Sequence, residues 1–355
     1  MANLLEIVLV CLGKKKMPKY VFANLRYLRN RFPNYEIVLI SDNVKTIDSL
    51  KNLKVTTFLC SDYLITTSRE YLNEIPDLQF RGGFWFYTIA RFFAIEDYLK
   101  TRQNKSVLHV ESDVLLLGNF PFEKFNSIKG LAFPTVNLNY AAASTLYISD
   151  FAAANALSEF SRIKMYSNPA ITDMEILGSS SLSELVPVTY LPTAFGGEHH
   201  FQDWVSSFGR ETSKSGIEKF EGIFDAMTWG QYLTGEDPRN NYGKKRIYGI
   251  QTHHSLAVDS YCIQYLDGEV NISCECGSFP LYSLHVHSKD LRLFKQAEID
   301  SLLKRRVKEI TKGEFSEYIW PIVIKFLPLR MKNSIKKKIR KLKFLRVLRD
   351  RIRFL

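Results

Sequence analysis

A chain of 355 residues, 46% of them hydrophobic, carries enough apolar side chain to bury a sizeable core, which excludes disorder as its default state. Its formal charge of +11 is concentrated: residues 330–355 hold 12 Lys or Arg against a single acid, Asp350, and taking these from the 48 basic and 37 acidic residues leaves a body of zero net charge. That excludes a basic binding face spread over the fold and points to a local anionic partner for the terminal segment.

In chain order, the sequence opens with an apolar strand over Leu4–Leu12 and a Lys/Pro turn. A helical pattern follows over Tyr20–Arg31, then a Phe32-Pro33-Asn34 break and a second strand over Glu36–Ile40 ending in Ser41-Asp42. This is a β-α-β unit, and continuous apolar strands separated by amphipathic helices predict a mostly parallel sheet covered on both faces. In such sheets ligands bind beyond the carboxyl ends of the strands, where Asp42 and the Gly13-Lys14 turn fall. The first apolar run contains Glu6 and is followed, not preceded, by Lys14, Lys15 and Lys16, so it lacks the n-region of a secretory signal. No apolar stretch reaches the roughly 20 residues that span a bilayer. Cys11, Cys60, Cys262, Cys274 and Cys276 are odd in number and scattered, which is no disulfide framework. A cytoplasmic-side protein is expected.

After Arg81-Gly82-Gly83 a second helix is expected to carry Phe86, Ile89, Phe93 and Tyr98, with Arg91 inside it. The run from Val107 to Leu117 reads as a buried strand interrupted by Glu111 and Asp113. Burying two charges there is costly unless something neutralises them. An Ala-rich helix is expected over Ala141–Ala156, and the Gly196-Gly197 loop with Glu198 is a candidate acceptor loop. The stretch from Phe224 to Leu233 reads as a helix with Asp225 near its start, ended by Gly235 and Asp237-Pro238. Tyr261–Tyr282 reads as short antiparallel strands, and Leu284-His285-Val286-His287-Ser288-Lys289 closes the ordered body. The organisation expected is an α/β domain over 1–300 and a helical tail over 301–355.

Glu111-x-Asp113 places two carboxylates on one side of a strand or tight turn, able to face one ligand together. Hard carboxylate oxygens suit Mg²⁺ or Mn²⁺, which bind through one or two protein carboxylates plus substrate phosphates. On these residues the chain resembles the GT-A glycosyltransferases, whose Asp-x-Asp motif follows an apolar strand and holds the metal of a metal–nucleotide-sugar complex. Here the motif reads Glu111-Ser112-Asp113. The resemblance implies a GT-A-type, Rossmann-like fold and a nucleotide-sugar donor. It makes Asp113 the principal metal ligand, with Glu111 acting directly, through water or on the donor ribose. It also implies that a late His, His285 or His287, completes the metal site and that Lys289 meets the diphosphate. The departure is that no Gly separates His from Lys. Arg91, on the helix before the carboxylate motif, falls where such enzymes hold a basic residue toward the donor phosphates, and Asp42 falls where the nucleoside would sit. Asp225 is a candidate acceptor-side base, although an N-capping role alone would explain it. Phe224-Asp225-Ala226 and Gly230-Gln231-Tyr232-Leu233 also resemble, loosely, a motif of bacterial surface-polysaccharide transferases of the lipopolysaccharide or capsule type.

Three rivals stand beside this reading. A sugar-phosphate nucleotidyltransferase would show a Gly-rich phosphate loop after the first strand, whereas residues 11–17 contain one Gly. A structural zinc site joining Cys262, Cys274 and Cys276 to the late histidines lacks the usual Cys-x₂-Cys knuckle. A non-catalytic membrane-bound scaffold with a transferase-like fold is the third. In the tail, Ile335, Ile339, Leu342, Leu345, Leu348, Ile352 and Leu355 recur at helical spacing among Lys and Arg. That is the composition of an interfacial helix on anionic lipid. The absence of a nucleic-acid fold signature argues against RNA or DNA. The expected partners are a nucleotide-sugar donor, a glycan or lipid-linked acceptor, and an anionic membrane surface.

Overall fold

A seven-stranded sheet organises the chain in the computed structural model, which describes residues 5–60, 82–102, 104–136, 139–196, 215–234, 261–266, 269–294 and 301. Its packing divides the chain into Met1–Lys304 and Arg305–Leu355. All described residues belong to the first unit. The cationic stripe over 330–355, the loop acid Glu198 and the Asp237-Pro238 stop lie outside the described residues. No described helix is long and apolar enough to cross a membrane.

The sheet contains β1 (Leu5–Cys11), β2 (Glu36–Ser41), β3 (Thr56–Leu59), β4 (Ser106–Val110), β6 (Leu131–Pro134), β7 (Thr145–Ile148) and β8 (Val188–Leu191), in the order β3-β2-β1-β4-β7-β6-β8. A short β5 (Val114–Leu116) belongs to a separate ribbon. Every neighbouring pair in the large sheet is parallel except the two that involve β7, so this is the mostly parallel α/β architecture that the opening β-α-β unit predicts. Because β1 has β2 on one side and β4 on the other, the chain reverses its winding at β1, which opens a crevice at the carboxyl ends of β1 and β4.

The pleat distributes the core between the two faces of the sheet. Val8, Val38, Ile40, Val107, Leu131, Phe133, Leu146 and Ile148 meet one cluster built from α3 (Phe84–Thr101) and α4 (Phe151–Ser167). The intervening Ile7, Leu9, Ile37 and Leu39 are as fully buried, so both faces are covered. Two shorter helices, α1 (Lys19–Arg31) and α2 (Val44–Asp48), fill the β1–β2 and β2–β3 connections.

Two expectations require correction. The run from Val107 to Leu117 is not one strand: β4 ends at Val110, residues 111–113 turn, and β5 leaves to pair antiparallel with β12 (Ser283–His285). The Ala-rich stretch 141–156 is not one helix either. Thr145-Leu146-Tyr147-Ile148, β-branched and aromatic, forms β7, and α4 begins only at Phe151, where the Asp150 carboxylate accepts the Ala153 N–H at 2.9 Å. Alanine's helix propensity is overridden by the strand residues and by the cap that follows them. The expected late strands are present as the antiparallel β9 (Cys262–Leu266), β10 (Glu269–Cys274) and β11 (Gly277–Pro280).

Candidate metal centre

Three pieces of chain meet beyond β4. The turn after β4 carries Glu111 and Asp113; it is closed by Val114 N–H donating to Glu111 O at 2.9 Å and anchored by Glu111 N–H donating to Ser144 O at 3.1 Å. The β5–β12 pairing sets His285 opposite Val114, which carries a residue 171 positions later in the chain to the carboxylate turn. Val286 N–H then donates to Asp113 O at 2.7 Å, and a turn places Lys289 over the same carboxylate. Lys289 occupies the left-handed region at φ 52°, a conformation uncommon for a residue with a Cβ.

One ligand atom each from Glu111, Asp113 and His285 lie within 4.8 Å of one another, the only such grouping among the described residues. His285 Nε2 is 3.1 Å from Asp113 Oδ2 and 3.6 Å from Glu111 Oε2. Its Nδ1 lies 3.5 Å from Ala226 O. With its proton on Nδ1, directed at that carbonyl, the imidazole would present the Nε2 lone pair to an ion held between it and the carboxylates. Lys289 Nζ contacts Asp113 Oδ2, so an ammonium already supplies a cation to the carboxylate pair. Two carboxylates and an imidazole nitrogen suit a borderline-hard divalent ion such as Mn²⁺, and Mg²⁺ if water completes its shell.

The electrostatics follow from burial and pairing. Burial raises the Glu111 pKa, but the Arg91 guanidinium and His285 outweigh it, and the carboxyl comes down to about 2. Burial pushes the Lys289 ammonium down to about 8, against the pull of Glu111. Parity along β4 explains the first pairing. Val107 packs in the α3 cluster, so His109 and Glu111 project toward α3 as well, and Arg91 waits there.

Arg91 lies behind Glu111, with one guanidinium nitrogen on Glu111 Oε1 and the other on Asp173 Oδ2. It is buried and held at both ends by carboxylates, one of which is Glu111. Asp173 opens α5 (Asp173–Gly178), whose capping box is made by Thr172 and Glu175. Nothing in the sequence joins Asp173 to Arg91. The capping box is legible, but the partner 82 positions away is not.

Asp225 is fully buried, three residues before α6 (Thr228–Thr234), a later start than the sequence pattern suggests. Its Oδ1 accepts Trp229 N–H at 3.1 Å and its Oδ2 accepts His285 N–H at 2.9 Å. It therefore backs His285 from inside and has no exposed face for an acceptor hydroxyl. Burial pushes its carboxyl up to about 6 despite these bonds. His287 stacks on His285 with centroids 3.9 Å apart, and its Nε2 is 3.1 Å from Met227 O; it is not among the grouped ligand atoms. Asp42, at the end of β2, accepts Gly13 N–H at 2.9 Å and so ties together the two loops at the same edge of the sheet. Cys262 and Cys276 are exposed, and the three late cysteines do not join the histidines in any metal-ligating group among the described residues.

No protein-family profile matches the chain, and no curated protein matches it in sequence. Solved structures similar to it include PaToxG glycosyltransferase, at 11% identity over 52% of this chain and 69% of that one, with a TM-score of 0.33. The apo form of the glycosyltransferase GlyE of Streptococcus pneumoniae aligns at 13% identity over 52% of this chain and 45% of that one, with a TM-score of 0.34. The bifunctional IspDF of Campylobacter jejuni aligns at 10% identity over 61% and 54%, with a TM-score of 0.32. This chain thus spans only about half the length of the last two. At these scores the function has to be argued from the chain's own residues.

Proposed function

We propose that the protein is a metal-assisted glycosyltransferase that takes a nucleotide-diphosphate sugar at the carboxyl edge of the β1–β4 crevice and transfers the sugar to an acceptor hydroxyl. The observation that carries this reading is the convergence of Glu111, Asp113, His285 Nε2 and Lys289 Nζ on one point at that edge. Glu111, Asp113 and His285 would hold Mn²⁺ or Mg²⁺. The bound ion would offset charge on the diphosphate leaving group. Lys289 contributes a second positive charge to the same leaving group, positioned in advance on a half-buried turn. Arg91 and Asp225 keep Glu111 and His285 in place, and Asp42 stands at the loop edge where the nucleoside would lie. Asp225 is assigned no acceptor-side role, because its carboxylate is enclosed.

The finer reading is a transferase of the bacterial surface-polysaccharide type, acting on a glycan or lipid-linked acceptor at an anionic membrane surface held by residues 330–355. Its support is the tail's charge and helical apolar spacing. Removing 330–355 is expected to abolish co-sedimentation with anionic vesicles, and undiminished binding would sink that assignment. A sugar-phosphate nucleotidyltransferase is the second reading, disfavoured by the single Gly in the β1 loop.

A thermal-shift panel of nucleoside diphosphates and nucleotide sugars, with and without Mn²⁺, on the wild type and Asp113→Ala tests the donor site. Metal-dependent stabilisation by one nucleotide class, lost in Asp113→Ala, is expected. No stabilisation by any nucleotide would sink the transferase reading in favour of a non-catalytic scaffold.

A further inference from the structure

The Glu111–Val114 turn is held from a side that makes no contact with any expected ligand. Asn24 lies on the inner stripe of α1, between the buried Val21 and Leu25, and is itself fully buried. Its Nδ2 donates one hydrogen to Val114 O at 2.8 Å and the other to Ser112 O at 3.2 Å. The carbonyl between them, Asp113 O, accepts Val286 N–H at 2.7 Å. Three consecutive carbonyls centred on Asp113 are thus each held by a donor from another element, two by a single side-chain amide. Asn24 Oδ1, by contrast, has no hydrogen-bond partner among the described residues. Leaving the oxygen of a buried amide unsatisfied is unfavourable, and the two carbonyls served by the Nδ2 offset it. The polar residue in this apolar stripe is thus explained by the carbonyls of the turn that it holds.

We infer that Asn24 is a positioning residue for the carboxylate turn: its amide fixes the peptide planes on either side of Asp113 and so sets the direction in which Glu111 and Asp113 present their oxygens. The inference rests on the metal reading for its consequence, but its physical content is the rigidity of the turn. A neighbouring bond serves as an internal control. Tyr27, one turn further along α1, donates from Oη to Leu116 O at 2.7 Å, tying the same helix to β5 beyond the turn. Loss of that bond loosens the α1–β5 packing without touching residues 111–114.

The test compares the wild type, Asn24→Leu, Asn24→Ala and Tyr27→Phe in the full chain. The readouts are Mn²⁺ affinity by water-proton relaxation, amide exchange at residues 112–114 in metal-free protein, and the unfolding midpoint. Partners that orient metal ligands without touching the metal are worth roughly 10–100-fold in affinity. Asn24→Leu is therefore expected to weaken Mn²⁺ binding about 10-fold or more and to speed exchange at the turn, while Tyr27→Phe leaves both at the wild-type level. If Asn24→Leu does not fold, Asn24→Ala removes the pair of donors without adding bulk or charge, and the same shifts are expected of it. A folded Asn24 variant with wild-type Mn²⁺ affinity overturns the inference. If the wild type binds no Mn²⁺, the metal reading fails on its own account. Exchange at 112–114 then decides: unchanged exchange in the variants overturns the positioning role, and faster exchange upholds it.

Discussion

At the scale of single residues, the site depends on charges that are affordable only in company. Asp113 has His285 and Lys289 against one oxygen, and Glu111 has Arg91 against the other side of the turn. Lys289 is the member whose removal separates chemistry from architecture, because its backbone holds the turn and its amine holds the charge. Lys289→Ala is expected to lower kcat by about 10²–10³, the range for loss of one preorganised group that stabilises developing charge. The fold is expected to persist. Lys289→Gly removes the same amine but also relieves the φ of 52°, so it should unfold later than Lys289→Ala by about 1 kcal/mol. Urea titrations of the two variants, read beside their turnover, check both statements. Equal turnover in Lys289→Ala and wild type would remove Lys289 from the mechanism.

At the scale of elements, the β5–β12 ribbon and α6 decide where His285 stands, and they pack closely at a glycine. A Cβ on Gly230 would lie 2.1 Å from His285 O and 2.6 Å from Asp225 Oδ2. Helix propensity alone says that Gly230→Ala stabilises α6 by about 1 kcal/mol. The contact says the reverse, since backbone cannot yield as a flexible side chain can, and overpacking costs about 1–3 kcal/mol. The contact should win: Gly230→Ala is expected to lower the unfolding midpoint and, by shifting β12, to weaken the Mn²⁺-dependent nucleotide shift. A midpoint above wild type would show that α6 and β12 separate freely. The elements around this ribbon were unevenly legible. The first β-α-β unit and α3 follow directly from apolar periodicity and the Gly82-Gly83 break. The strand at 145–148 hides among alanines, and its marker, the Asp150 cap, is a local signal that composition masks. Glu111 and Asp113 stand out because charges inside an apolar run need an explanation. The roles of Arg91, Asp173 and Asn24 were not legible, because each depends on which distant residue the sheet parity and α1 bring opposite. Asn24 did leave a trace as a polar residue in an apolar helical stripe.

At the scale of the whole molecule, the two ends of the sheet treat buried charge differently. The carboxyl end gathers carboxylates for a ligand, whereas the opposite end holds one carboxylate, Glu6, fully buried at the start of β1 and satisfied by the protein itself. Glu6 Oε2 accepts Tyr98 Oη–H at 2.5 Å, and Oε1 is 2.8 Å from Arg102 Nη2 and 3.2 Å from Lys105 Nζ. Burial raises the Glu6 pKa, but hydrogen bonds from Arg102 and Tyr98 outweigh it, and the folded-state value is lowered. A carboxyl whose pKa is lower folded than unfolded contributes stability above its unfolded value, near 4.3, and loses that contribution as pH falls through the folded value. Glu6→Gln removes the charge and keeps the shape, so at pH 7 it should cost about 1.5–3 kcal/mol, the worth of hydrogen bonds to a charged group. The gap should narrow as pH falls below the unfolded value, and the two proteins should converge once pH is below the folded-state value, where the wild type protonates the same oxygen. Urea midpoints of wild type and Glu6→Gln measured from pH 3 to 8 check this: a gap that narrows on acidification is expected, and a constant gap would mean that Glu6 contributes through packing and not through charge. Because Glu6 sits at the end of the sheet opposite the carboxylate turn, Glu6→Gln is also expected to leave the Mn²⁺-dependent nucleotide shift at its wild-type size when both proteins are compared at pH 7.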